Sequence, residues 1–302
     1  FYDKFLLKTK IYDMDKKVIN TNEIKTIEQV DEQLKQKKFN VIFGWSNPYI
    51  ASTIAIKLGK KYNIPVVLRL GDFYTNSLFI DQSKEFAYAK SICVPNKMMA
   101  KKLIKFYGND KIKVIKQFYI PTKKKFNVIK KSNTINIVHC GNMYQKRTID
   151  LFIKTLAKLD DTLKNRIRLK FIGSHDKLND DIKLCKKYKI KADFRKAYQF
   201  NDWYFTKSIP FEQVRKEMVK ADILVHIDYI SKNNSFLAFK LIDYLAYNKP
   251  ILTLSQKISP NYLLSKKCGF CFGNLEDKNE LLKNINLILK EPNKFIPNNY
   301  KL

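Results

Sequence analysis

Short runs of apolar residues alternate along this chain with longer stretches in which apolar residues recur at helical spacing. The apolar runs lack the strict alternation of a half-exposed strand, which favours buried parallel strands joined by helices. In the first third, this pattern predicts strands at 39–43, 65–70, 91–94 and 112–115, and helices at 49–61 and 96–107.

A second series of the same kind begins at Ile135 and runs almost to the end of the chain. Its predicted strands lie at 135–140, 167–173, 221–227 and 250–254. Its predicted helices lie at 148–159, 180–188, 211–220, 236–247 and 277–289. Strands that alternate with helices of this length indicate βαβ units and a parallel sheet in each series.

The two series are separated by the polar, lysine-rich segment 121–134 (PTKKKFNVIKKSNT), which predicts an interdomain linker. We therefore expect a first domain at 1–120 and a second at 135–302, a division that suits a chain of 302 residues. The predicted fold class is α/β, with two Rossmann-like, doubly wound parallel sheets. The first domain has fewer elements, so we expect one or two further βα units upstream of Phe1.

The chain carries a formal net charge of +30 and has an isoelectric point near 9.7, which favours phosphate-rich partners. Arginine, the usual base-reading residue, is scarce and no DNA- or RNA-binding motif is present, so nucleic acid is not expected as a partner. Two explanations stay open: a compositional bias toward lysine, or peripheral contact with an anionic membrane. The lysine clusters that suggest membrane contact are Lys35/Lys37/Lys38, Lys101/Lys102/Lys105, Lys123/Lys124/Lys125 and Lys130/Lys131.

Five cysteines, an odd number, do not suggest a disulfide framework, and most of them follow or interrupt apolar runs as core residues do. Cys268 and Cys271 form a single Cys-x-x-Cys with no second pair, so no metal site is expected. No apolar run is long enough for a transmembrane helix, and the expected compartment is the cytoplasm.

Ligands of open α/β sheets bind beyond the carboxyl ends of the strands, so we examined the loops that follow each predicted strand. No G-x-G-x-x-G or Walker-type loop is present, which disfavours dehydrogenases and ATPases. After the strand at 135–140, Gly141 permits a close ligand approach, while Lys146 and Arg147 open the predicted helix. Cations at that end of a helix favour a bound anion such as a diphosphate, although two exposed basic residues are the simpler alternative.

The next strand ends in Gly173, which again permits close approach, and in His175, whose position is more typical of a surface residue than of a catalytic one. The helix predicted at 236–247 is the most informative element. Asn234 or Ser235 is predicted as its N-cap, and Asn248 suits the left-handed residue that ends it.

Lys240 and Asp243 lie three residues apart on one face of this predicted helix. An amphipathic surface helix with one ion pair is the simple interpretation. The run from Leu237 to Ile251 (LAFKLIDYLAYNKPI), however, resembles the donor-site segment of glycosyltransferase family 4 and related group 1 enzymes with the GT-B fold.

In that resemblance Asp243 matches the second of two family glutamates, which contacts the ribose, and Ser235 stands where the first contacts the donor sugar. Ser235 is a departure from the family pattern. Eight helical residues would span about 12 Å, comparable to the reach from sugar to ribose. The resemblance also covers Gly141 and Lys146 as the family's diphosphate loop, and Ile209 in the loop beside the base. Asp72, after Leu70-Gly71, shows a weaker match in the first domain.

The resemblance implies a GT-B glycosyltransferase that moves a sugar from a nucleotide donor to a glycan, lipid-linked or protein-linked acceptor held between the domains. It also implies retention of configuration and no metal or other cofactor. Lys146 would neutralise the leaving diphosphate, with Arg147 and Lys240 next, and Asp72 would face the acceptor. The expected donor-binding residues are Gly141, Asn142, Lys146, Arg147, Gly173, Ile209, Ser235, Lys240 and Asp243. A non-catalytic GT-B-like binding module is the alternative, and a basic nucleic-acid-binding protein is a third possibility.

Overall fold

A computed structural model describes residues 21–36, 38–46, 50–71, 86–116, 133–143, 147–195, 209–232 and 234–297. The chain forms two compact units, Phe1–Lys116 and Gln117–Leu302. The predicted linker at 121–134 falls almost entirely outside the described residues and stays a prediction, as do the exact domain bounds.

The first unit contains a parallel sheet whose four described strands lie side by side in chain order. The strands are β1 (Ile42–Ser46), β2 (Val66–Leu70), β3 (Ser91–Val94) and β4 (Ile112–Val114), and the helices are α1 (Thr21–Gln36), α2 (Ile50–Tyr62) and α3 (Lys97–Tyr107). Asn96 caps α3 by accepting a hydrogen bond from the Met99 backbone amide, and asparagine is a preferred N-cap residue. In the part of this unit that is described, the strand order shows no reversal.

The second unit contains a six-stranded parallel sheet. Its strands are β5 (Ile135–Cys140), β6 (Ile167–Ile172), β7 (Ala192–Arg195), β8 (Ile223–Ile227), β9 (Ile251–Ser255) and β10 (Cys271–Asn274). Its helices are α4 (Asp150–Leu156), α5 (Asp161–Arg166), α6 (Leu178–Lys187), α7 (Phe211–Lys220), α8 (Phe239–Leu245), α9 (Pro260–Cys268) and α10 (Lys278–Lys290), followed by a 3₁₀ turn at Pro292–Phe295.

The strand order of this sheet is β10-β9-β8-β5-β6-β7, so the chain reverses direction across the sheet between β5 and β8. This is the doubly wound Rossmann order, whose ligand site lies at the reversal. The paired residues of the two strands are Ile137 with Ile223 and Val138 with Leu224. Beyond them, the hydroxyl of Tyr244 accepts a hydrogen bond from the Cys140 amide at 2.9 Å, where the strands part.

Both faces of the six-stranded sheet are buried under helices, which explains why its strands are almost continuously apolar. Ile137, Val225 and Leu254 face one layer with α4 and α10, while Val138 and Leu224 face the other with α7, α8 and α9. All five cysteines are buried free thiols, which supports their interpretation as core residues. Among the described residues, no helix is long and apolar enough to cross a membrane.

The predicted strands and helices are confirmed in type, with shifted ends. The first strand was placed three residues too early, because the apolar residues 39–43 include exposed positions before β1. The pattern missed α1, α5, α9, β7 and β10. The strand β7 (ADFR) is only partly buried and alternates polar residues, and β10 contains a glycine, so neither forms an apolar run.

Candidate functional site

Two glycines at the ends of β5 and β6 pack directly against each other. The Gly141 amide donates to the Ile172 carbonyl at 2.7 Å, and the Gly173 amide donates to the Arg195 carbonyl at 2.9 Å. A Cβ atom on Gly173 would overlap the carbonyl of Gly141. Gly173 therefore permits the close approach of the Gly141 backbone, and Gly141 forms the floor of the site. A direct contact between Gly173 and a ligand stays a prediction.

We predict that Gly173→Ala destabilises the second unit by about 1–3 kcal/mol, because the new methyl group meets main-chain atoms that have no room to move. Gly141→Ala is the matched variant. Its methyl group meets the mobile end of Lys240, so it should cost less stability but displace that side chain. Urea denaturation checks both, and equal losses would contradict this interpretation of Gly173.

Lys240 lies over the floor that Gly141 provides. Lys240 is a half-buried residue of α8, and its Nζ lies in the space beside the Gly141 Cα. Burial, and then the positive charge of Arg147, lower the pKa of Lys240 to about 8, while Asp243 acts in the opposite direction. Among the described residues, no carboxylate lies within ion-pairing distance of its Nζ. The simple surface ion pair with Asp243 is therefore wrong.

Arg147 brings a second buried cation to the same place. Its side chain is buried, its guanidinium donates to the Asn142 carbonyl at 3.2 Å, and it lies 5.9 Å from the ring centre of Phe236. The prediction that Arg147 opens a helix is wrong, because α4 begins three residues later at Asp150. The guanidinium is instead fixed across the loop that follows β5. Lys146, the predicted phosphate ligand, and Asp72 lie outside the described residues.

The segment that precedes α8 differs from its prediction. Residues 234–238 form no regular secondary structure and the helix begins at Phe239, with Ala238 at the N-cap position and no side-chain capping bond. Neither Asn234 nor Ser235 is the N-cap, and the helical spacing assumed between Ser235 and Asp243 is wrong. Ser235 is buried in this non-helical segment, whereas Asp243 is exposed on α8. Asn248 does adopt the predicted left-handed conformation, with φ of 50°.

Asp228, at the carboxyl end of β8, holds this non-helical segment in place. Its Oδ2 accepts hydrogen bonds from the side-chain amide of Asn234 at 3.0 Å, the Ser255 hydroxyl at 2.8 Å and the side-chain amide of Asn261 at 2.7 Å. Its Oδ1 accepts from the Tyr229 amide at 2.9 Å. Burial raises the pKa of Asp228 above its ordinary value, although these hydrogen bonds oppose the rise.

Asn261 links this carboxylate to the chain just before α8. Its side-chain oxygen accepts from the Ala238 amide at 2.9 Å, and its amide donates to the Phe236 carbonyl at 3.2 Å. The entry to α8, and with it the base of Lys240, is thus tied to the end of β8. Asp228 was not predicted from the sequence, where it is marked only by being an acidic residue directly after an apolar strand.

All three histidines of the chain are buried in this region. His139 on β5 and His226 on β8 stack with ring centres 6.4 Å apart, and His139 lies 6.1 Å from the ring of Phe171. His175 was predicted as a surface residue, and that is wrong. Its side chain is 1% exposed and its Nδ1 lies 2.8 Å from the Asp181 carboxylate.

The structure thus brings Gly141, Arg147 and Lys240 together at the strand-order reversal, with Gly173 beneath them. Asn142 supplies the carbonyl that fixes Arg147. Ile209 is half-buried against the helical layer that contains α7 and α8. Two cations over a glycine floor, at the ligand-binding edge of a Rossmann sheet, can hold a diphosphate.

A chain with two parallel α/β units and a site of this kind has the GT-B fold, and known structures agree. A glycosyltransferase from Rickettsia africae has a TM-score of 0.62 and 14% identity, covering 94% of this chain and 76% of its own. Anabaena HepE, solved in complex with UDP and glucose, has a TM-score of 0.67 and 12% identity, covering 91% of this chain and 74% of its own. WaaG, a lipopolysaccharide glycosyltransferase, has a TM-score of 0.60 and 13% identity, covering 94% and 78%.

The family follows from the sequence of the second unit. Residues 121–302 match the family model for group 1 glycosyl transferases, so the chain belongs to that family. A search of the curated proteins gave no match. The identities to the solved structures are low, so those structures support the fold and not a particular substrate.

Proposed function

We propose that this group 1 glycosyltransferase takes its sugar from a nucleoside diphosphate donor bound over Gly141, and transfers it with retention of configuration. The observation that carries this is the meeting of Lys240 and Arg147 over Gly141 at the strand-order reversal. Lys240 is desolvated beside the positive charge of Arg147, and a bound anion would offset this unfavourable charge. A diphosphate supplies such an anion.

The leaving group in this transfer is a nucleoside diphosphate, whose negative charge grows as the bond to the sugar breaks. Lys240 and Arg147 are placed to neutralise it, and we propose that they do so without a metal ion. Lys146, adjacent in sequence to Arg147, is proposed as a third cation, and Asp72 as a residue on the acceptor side. HepE binds UDP and UDP-glucose, so uridine donors are the first to test.

The acceptor is proposed to be a glycan, free or linked to lipid or protein. Lys101 and Lys105 are exposed one helical turn apart on α3 and are available to acidic lipid headgroups. Co-sedimentation with anionic but not neutral liposomes, lost at high salt, would support contact with a membrane. Equal recovery on both would leave the lysine content as compositional bias.

A panel of nucleoside diphosphates and nucleotide sugars tests the donor site by thermal shift. A ligand at 100 times its dissociation constant stabilises a protein by about 2.7 kcal/mol.

Release of the nucleoside diphosphate during transfer, with excess EDTA present, would support metal-free transfer. Loss of this release that only a divalent cation restores would contradict it. Binding without turnover on any acceptor would favour the non-catalytic alternative, which the departure at Ser235 motivates.

We predict that Asp243→Ala weakens nucleotide-sugar binding by about 10- to 150-fold, because a hydrogen bond to a charged acceptor contributes about 1.5–3 kcal/mol. Asp243 is exposed on α8, so the fold should be unaffected. Calorimetric titration checks the affinity. The exposed Asp110 in the first unit provides the matched control Asp110→Ala, which should bind normally. Unchanged affinity in Asp243→Ala would remove Asp243 from the site.

A further inference from the structure

The imidazole of His139 lies directly beneath the glycine floor. The residue is 1% exposed, and its Nδ1 lies 3.0 Å from the Val225 carbonyl. A carbonyl only accepts, so Nδ1 carries the proton and Nε2 of the neutral ring is an unprotonated acceptor. A Cβ atom on Gly141 would lie 3.1 Å from this Nε2. Among the described residues Nε2 has no hydrogen-bond partner, although it is fully buried.

Such an orphaned acceptor calls for an explanation, because buried polar atoms are nearly always paired. The charged groups that act most directly on this ring, Lys240 and Arg147, are basic, and the titratable groups packed around it include three carboxylates. Together these groups are Lys240 on α8, Arg147 after β5, His226 on β8 and His175 after β6, with Asp181 paired to His175, Asp228 at the end of β8 and Asp243 on α8. Burial, and then the charge of Lys240, lower the pKa of His139 well below its ordinary value, so the ring is neutral in the free protein.

We propose that His139 is a proton-accepting residue of the donor site, whose Nε2 takes a proton from solvent when the diphosphate of the donor binds over Gly141. This inference rests on the proposed function. The hydrogen bond from Nδ1 to the Val225 carbonyl is unchanged, and the only new bond is N–H at Nε2. Protonation converts the orphaned acceptor into an N–H donor, for which an oxygen of the diphosphate over Gly141 is the acceptor, and it adds a third positive charge beneath the anion.

The charge of the diphosphate is large enough to change the protonation state of His139. An opposite charge within about 4–6 Å changes a protonation equilibrium by about 10- to 1000-fold, and a diphosphate diester brings two such charges. The same anion also offsets the repulsion from Lys240 and Arg147 that disfavours the imidazolium in the free protein. The ring nitrogens of His226 are also unpaired among the described residues, but Nε2 of His139 lies against the Gly141 position, so we assign the proton to His139.

The chain has three histidines, so the protonation state can be read directly. Protein with isotopically labelled histidine gives three pairs of ring-nitrogen signals, which His175→Asn and His226→Asn assign by elimination. UDP-glucose is the probe, because its diphosphate has no oxygen that titrates near neutral pH. At pH 6 we expect the neutral Nδ1–H form of His139 in the free protein and a doubly protonated ring in the saturated complex. A ring that stays neutral in the saturated complex would overturn the proposal.

Calorimetry in two buffers of different ionisation enthalpy measures the same proton. At pH 6, Lys240, with a pKa of about 8, is already charged and contributes no uptake. We expect net proton uptake in the wild type and in the control His175→Asn, and none in His139→Asn. Asparagine retains a donor for the Val225 carbonyl but has no group at the Nε2 position. It therefore tests proton uptake separately from the hydrogen bond that links β5 to β8.

The affinity of the wild type for UDP-glucose should also exceed that of His139→Asn more at pH 6 than at pH 8, by about 10-fold or more. An equal ratio at both values would contradict the proposal. If His139→Asn does not fold, the ring-nitrogen spectra of the wild type decide. If no nucleotide sugar binds at all, the proposed function fails. If UDP-glucose binds without proton uptake, the inference about His139 alone is wrong.

Discussion

Lys240→Met is expected to lower kcat/KM by about 100- to 1000-fold while raising the stability of the free protein. The loss of activity follows because a preorganised group that faces developing charge typically contributes that much to the rate. The gain in stability follows because the lysine is half-buried beside Arg147 without a carboxylate partner among the described residues. Methionine fills the same space without the charge.

The pH dependence of stability identifies the cause. The pKa of Lys240 is about 8 in the folded protein, below the ordinary value of 10.5, so the unfolded chain binds the extra proton between these values. Stability therefore rises from pH 8 to about pH 10 as the folded protein sheds this charge. Lys240→Met should lack that rise and should be more stable at pH 7 by on the order of 1–3 kcal/mol.

Urea denaturation at pH 7 and pH 10, with steady-state kinetics, measures both effects. The matched control is Lys283→Met, which removes one exposed lysine from α10 and should change neither stability nor kcat/KM. A Lys240→Met protein with normal turnover would remove Lys240 from the donor site. Lower stability at pH 7 would show that the lysine has a partner outside the described residues.

The sequence predicted well where Gly141, Gly173 and Lys240 lie in the fold, because those positions depend on local patterns. Apolar runs that end at Gly141 and Gly173, followed by helices, place both glycines at the carboxyl edge of a parallel sheet. Lys240 and Asp243, three residues apart, likewise lie on one helix, α8, as their spacing predicts. These inferences need the order of elements and no knowledge of which side chains meet.

The contacts that shape the site were not predictable, because they join residues far apart in sequence. Asn234 and Ser235 suit an N-cap as well as a loop. The choice is made by Asn261, whose side chain binds the Ala238 amide across 23 residues of chain and the Asp228 carboxylate across 33. His139 and His226 stand inside apolar strands, and nothing local shows that their rings stack at the strand-order reversal.

Asp228→Ala is expected to destabilise the second unit by about 3–5 kcal/mol, because it removes a buried acceptor that four hydrogen bonds share. The four donors that lose this acceptor are the Tyr229 backbone amide, the side-chain amides of Asn234 and Asn261, and the Ser255 hydroxyl. Asp228→Asn should cost less, about 1–2 kcal/mol. Burial already disfavours the charge of Asp228, and the amide retains one acceptor oxygen.

The effect of Asp228→Ala on donor use separates a positioning role from a purely structural one. The carboxylate fixes the segment that leads into α8, so its loss should displace Lys240 and lower kcat/KM by about 10- to 100-fold. Asp222 offers a matched control just before the amino end of β8, where its carboxylate accepts from the Asn136 amide at 2.7 Å. Asp222→Ala should lose stability but retain donor affinity, measured where both variants are folded. Equal donor affinity in the two variants would restrict Asp228 to stabilising the fold.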